Sequence, residues 1–95
     1  MVNLTYFEKY FKYIFIQVIK MSIPVLISNF PPFVSPPTII KIAQSYDKNV
    51  TNYTITPDGI IVYFSDIYKA NGMINNITRF RQHIQDYYLT AKLLI

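Results

Sequence analysis

Two arginines, Arg79 and Arg81, close an apolar run and are followed at once by Gln82 and His83. A guanidinium holds its N–H donors in a fixed planar fork and an amide adds two more, so such a cluster suits phosphate oxygens. It does not suit covalent or acid–base catalysis. His83 is the only histidine, cysteine is absent, and the five acids (Glu8, Asp47, Asp58, Asp66, Asp86) are scattered singly. A metal site around one histidine would need carboxylates beside it, so His83 reads as a surface or interface residue, with no metal or other cofactor. No phosphate loop, nucleophile triad or paired-carboxylate pattern occurs, and an enzyme is not expected. If the run before the arginines is a strand, both guanidiniums share one face. They then either contact phosphate or guard an open sheet edge against pairing. Lys69 and Lys12 are weaker candidates, chosen only for expected exposure.

The elements that must position these residues follow from periodicity and turn chemistry. Leu4 to about Ser22 reads as a helix, with Asn3 as N-cap and Leu4, Phe7, Phe11, Ile14, Val18 and Met21 recurring every three or four residues. Lys9, Lys12 and Lys20 lie on its other side. Val25–Ser28 is a short apolar run suited to a buried strand. Pro31, Pro32, Pro36 and Pro37 impose an extended connection, and Pro37 can open a helix running to Tyr46. Val50–Thr56 is the next strand, with Tyr53 and Ile55 on one face and Asn52, Thr54 and Thr56 on the other. In Thr56-Pro57-Asp58-Gly59, Pro57 presets φ for the first corner, Asp58 tolerates the second and Gly59 supplies positive φ. That turn leads into Ile60–Ser65 as an antiparallel hairpin. Met73–Phe80 is expected as a further strand, and Tyr53, Tyr63 and Tyr68 as half-buried sheet residues.

The expected fold is therefore a single α+β domain over residues 1–95. It has a small mixed sheet with two helices packed on it, a central hairpin, an N-terminal helix (4–22) and a helix–hairpin–strand module (30–88). The expected core is Phe7, Phe11, Ile14, Val18, Leu26, Ile39, Ile42, Ala43, Ile55, Ile60, Val62, Phe64 and Ile77. A domain of 95 residues buries roughly two-thirds of its unfolded surface, so a partner is a reasonable part of its stability. Hydrophobic residues make up 52%, too many for a disordered tail, while charged residues are only 15%, as if much of the surface were covered in an assembly. Sixteen isoleucines, seven asparagines and seven lysines stand against two arginines and three alanines. That is a codon skew, the mark of an A+T-rich genome such as an organelle's. A net charge of +4 permits nucleic acid or an anionic membrane without demanding either.

From Phe30 to Tyr88 the order of elements resembles the N-terminal half of the universal ribosomal small-subunit protein eight family. Pro32 matches the family's strand-end proline, Pro37 to Tyr46 its helix, and Lys48 to Ile55 the segment after it. Gly59-Ile60-Ile61-Val62-Tyr63-Phe64 looks like its following strand. Met73-Ile74-Asn75-Asn76-Ile77-Thr78-Arg79 looks like its valine–isoleucine–x–x–isoleucine–x–arginine segment, with Tyr88 at the tyrosine beyond. The chain departs from the family at Arg81-Gln82-His83-Ile84, where a serine–basic–proline–glycine loop is usual. The family's C-terminal half, with its serine–threonine–serine loop, has no counterpart in these residues.

The resemblance implies a structural constituent of the mitochondrial small ribosomal subunit, bound to rRNA and to neighbouring ribosomal proteins in the matrix. A second chain would supply the C-terminal half. It makes Arg79 the first RNA contact, with Arg81, Gln82 and His83 in the adjoining loop. Double-helical RNA is held by shape through phosphates and 2′-hydroxyls, which asks for a few fixed cations. A different class also fits the sequence: an accessory subunit of an organellar inner-membrane complex, with helix 4–22 on or in the bilayer. Against a spanning helix, Lys12, Gln17 and Lys20 interrupt the apolar window and Pro24 stops it.

Overall fold

Ile23-Pro24-Val25-Leu26-Ile27-Ser28 is an unbroken apolar run, the pattern of a strand buried on both faces. In the computed structural model, which describes residues 22–95, it forms β1 (Ile23–Ser28), an interior strand. Helix 4–22, and with it Phe7, Phe11, Ile14, Val18 and Lys12, lies outside the described residues. The fold is α+β: the described residues form two helices, a four-stranded sheet and a small separate hairpin. The sheet order is β2 (Tyr53–Thr56), β3 (Gly59–Phe64), β1, β6 (Thr90–Leu93), and each pairing is antiparallel rather than mixed.

The hairpin is where the turn chemistry puts it. Tyr53 faces Val62 and Thr56 faces Gly59, leaving Pro57-Asp58 as a two-residue loop. The Asp58 N–H donates to Thr56 Oγ1 at 3.2 Å, and the Ser28 hydroxyl donates to the Asp58 carbonyl at 2.8 Å. Gly59 takes φ +150°, and a Cβ there would collide with the Ile27 carbonyl oxygen. The strand before the turn is shorter than expected, starting at Tyr53 instead of Val50.

Helix α1 (Pro36–Gln44) follows Ser35, with prolines in its first turn where a missing N–H costs nothing. It buries Ile39, Ile40 and Ala43 against the sheet face formed by Val25, Ile27, Ile60, Val62 and Phe64. Ile42 is half-buried beside that cluster. The alternate residues Leu26, Ile61 and Tyr63, with Leu94, are buried too, so the interior strands are apolar on both sides.

Three expectations are corrected. Met73–Phe80 is not a strand but most of helix α2 (Ile67–Arg79). Asp66 caps it, its Oδ1 accepting from the N–H groups of Tyr68 at 2.7 Å and Lys69 at 3.3 Å. Ala70, Met73 and Ile77 then fall on one buried helical stripe. Module 30–88 is thus helix, hairpin and helix, followed by a second small hairpin. Tyr68 is accordingly on an exposed helix face, not in a sheet. Ile55 is not in the core: it lies opposite Ile60, on the helix-bearing face, but on an edge strand beyond the helices, and is 62% exposed. Its neighbours Thr54 and Thr56 take the other face, Thr54 Oγ1 lying 2.7 Å from the Tyr63 hydroxyl.

Asp47 fixes where α2 begins. It is fully buried just after α1, and its carboxylate accepts from Asn49 N–H at 3.0 Å, Ser65 N–H at 3.0 Å and Ser65 Oγ at 2.8 Å. Burial alone would raise its pKa. The hydrogen bonds from Ser65 and Asn49, and the nearby Lys69 charge, outweigh this and hold it below the ordinary value. Ser65 is thereby anchored one residue before the cap of α2, whose far end carries the arginines.

Candidate nucleic-acid interface

Arg79 is the last residue of α2 and Phe80 its C-cap. The chain leaves the helix through Arg81 in the left-handed region, φ 49°, and the Gln82 N–H donates back to the Ile77 carbonyl at 3.2 Å. That six-to-one closure normally seats a glycine where Arg81 stands. The next residues form a miniature hairpin, β4 (His83–Ile84) and β5 (Tyr87–Tyr88), turning at Gln85-Asp86 with Gln85 at φ 54°. The Leu89 N–H closes it on the Gln82 carbonyl at 2.9 Å. Asn29, just past β1, ties it to the sheet by donating Nδ2–H to the Tyr88 carbonyl at 2.6 Å.

These constraints bring cations and rings together. The Arg81 guanidinium lies over the Tyr88 ring, 4.6 Å from its centroid, and Arg79 lies 5.6 Å from the centre of Phe80. His83 faces Tyr88 across the hairpin with ring centres 5.5 Å apart. All five side chains are exposed, Phe80 by 66%. Alongside runs an open groove of about 390 Å³, floored by Ile77, Leu89 and Ala91 and edged by Thr78, Arg81, Tyr88, Thr90 and Lys92. The arrangement offers guanidinium N–H groups for phosphate oxygens and ring faces on which unpaired bases can stack.

The sequence-predicted residues divide accordingly. Arg79, Arg81 and His83 come together, though from a helix end and a hairpin rather than one strand face. Gln82 is turned inward: its Nε2–H donates to the Tyr46 hydroxyl at 3.2 Å, so it braces the loop against the end of α1 instead of offering donors outward. Lys69 lies in the first turn of α2, about 15 Å along the axis from Arg79, beside Asp47 and away from the groove. Lys12 lies outside the described residues. Phe80, Tyr88 and Lys92 were missed as site residues. The available signal was a Gln-Asp turn between His83-Ile84 and Tyr87-Tyr88, which folds the tyrosine back onto the arginine.

Among the described residues no set of three or more His, Cys, Asp or Glu is grouped to hold a metal, and no helix is long and apolar enough to cross a membrane. Compared with known proteins, the chain matches no family model and no curated sequence.

Proposed function

We propose that this protein binds RNA as a structural constituent of the mitochondrial small ribosomal subunit, without catalysing a reaction. The observation that carries RNA binding is the pairing of the chain's two arginines with exposed rings at one turn: Arg79 with Phe80, and Arg81 with Tyr88. A guanidinium held near a ring face is pre-ordered, so less freedom is lost when it meets a phosphate. The ribosomal setting rests on the resemblance over Phe30–Tyr88 and on the codon skew. Exposed Phe33 and Tyr68 give neighbouring proteins apolar ground to cover. Replacing Arg79 and Arg81 together by alanine removes both cations from exposed positions and leaves the fold intact. In cells, the native chain is expected to co-sediment with the small subunit on a sucrose gradient and the double variant to be depleted from that fraction. A variant that assembles normally, or a native chain that travels with a respiratory complex, overturns this reading.

A further inference from the structure

We propose that the outer edge of β2, which no strand among the described residues pairs with, joins the same edge of a second copy of this chain across a two-fold axis through Thr54. Natural edge strands are guarded against such pairing by charge, proline, bulges or a covering element. Tyr53-Thr54-Ile55-Thr56 carries no charge, proline or bulge, and among the described residues it pairs with β3 on its inner side and with no strand on its outer side. The opposite edge, β6, contains Lys92. On β2 the two apolar side chains are the exposed ones, Tyr53 by 43% and Ile55 by 62%, a row open to a partner rather than to the core.

The pleat selects the register. Directly opposed residues share a face, so an axis between two residues, which would set Thr54 against Ile55, is excluded. An axis at Ile55 sets Tyr53 against Pro57, which has no N–H to give. An axis at Tyr53 sets Ile55 against Thr51, outside the strand. An axis at Thr54 sets Tyr53 of each copy opposite Ile55 of the other, two aromatic–β-branched pairs on the helix-bearing face, with Thr54 meeting Thr54. It also joins outward-aimed backbone groups to their like, since every second residue of an antiparallel strand turns its N–H and C=O away from its first partner. Beside Ile55 lies a cavity of about 480 Å³ walled by Phe30, Val34, Pro36 and Ile60. The Thr54 register places the second copy's Tyr53 at its mouth. No like charges meet across the axis. The area is small, so the dimer is weak and concentration-dependent.

Sedimentation equilibrium of the full chain tests this. The mass is expected to rise from the 11.2 kDa monomer toward twice that value with concentration. Ile55→Lys, at an exposed position, is expected to stay monomeric throughout with an unchanged circular dichroism spectrum. Because the chain has no cysteine, Thr54→Cys places a lone thiol on the axis, and mild oxidation is expected to link it into a covalent dimer. Thr78→Cys, on the exposed face of α2, is expected not to link. The arginine-bearing turn adjoins the β6 edge, so Ile55→Lys leaves RNA binding unchanged, and this inference stands or falls apart from the proposed function. A chain that is monomeric at every concentration, an Ile55→Lys variant that dimerises like the parent, or a dimer in which Thr54→Cys fails to link overturns it.

Discussion

Arg81 occupies a backbone conformation that glycine would hold without cost, and a non-glycine residue there stores about 1 kcal/mol of strain. The return is a guanidinium fixed against Tyr88 at an exposed turn. Arg81→Gly is expected to shift the urea midpoint by less than the equivalent of about 1 kcal/mol, since strain relief offsets the lost ring contact. RNA affinity is expected to fall, with a salt slope shallower by about one. An Arg81→Gly chain that binds RNA like the parent would show that this guanidinium makes no contact. Asp47 is the opposite kind of residue, buried and satisfied. Asp47→Asn keeps the shape but weakens two acceptor sites, and is expected to cost about 2 kcal/mol at pH 7. Its native pKa is depressed, so its contribution is full above the ordinary value of 3.8 and is lost as pH falls through that value and below it. Urea midpoints at pH 7 and pH 3 check this: the gap between parent and Asp47→Asn should narrow in acid. The role of Gln82 was not legible in the sequence, because its partner, Tyr46, is 36 residues away. The arginines were legible because only Phe80 separates them in the chain.

At the scale of elements, local signals were sufficient where a single turn decides the structure. Pro57-Asp58-Gly59 set the hairpin, and the prolines before Thr38 set the start of α1. Helix α2 was misread because Gly72, the asparagines and the β-branched isoleucines are poor helix formers. The capping Asp66 and the Ala70, Met73, Ile77 stripe outweigh them. Gly72 has no neighbour within 4 Å of where a Cβ would stand and no left-handed φ to justify it. Gly72→Ala is therefore expected to stabilise the protein by about 1 kcal/mol, read as a higher thermal midpoint. A lower midpoint would mean that the helix owes its place to something other than its own backbone.

For the whole molecule, the α+β class and most of the sheet were readable, but beyond the β2–β3 hairpin the order of strands within the sheet was not. Sequence patterning showed Tyr53 and Ile55 on one face. It could not show that β2 would be an edge strand lying beyond the helices, and so it placed Ile55 in the core. The β6 strand went unseen because Thr90–Leu93 acquires its apolar contacts only by joining β1. Charge is also a property of the whole: with a net +4 and about two to four phosphates contacted, the log of the RNA binding constant should fall with log salt at a slope of about −1.5 to −3.5. A slope near zero, measured by fluorescence anisotropy, would remove phosphate contact from the proposal.

The pairing of β1 with β6 has a kinetic meaning. Val25 meets Leu93 only after α1, the β2–β3 hairpin and α2 have all been traversed, so closing that ladder carries the largest loop entropy in the sheet. The hairpin, closed by two residues, can form in microseconds by itself. Folding should therefore run from the β2–β3 side toward the β6 side, with β6 docking late. Until then the outer edge of β1 stays open, so among the described strands a folding chain briefly adds a second uncharged edge to that of β2.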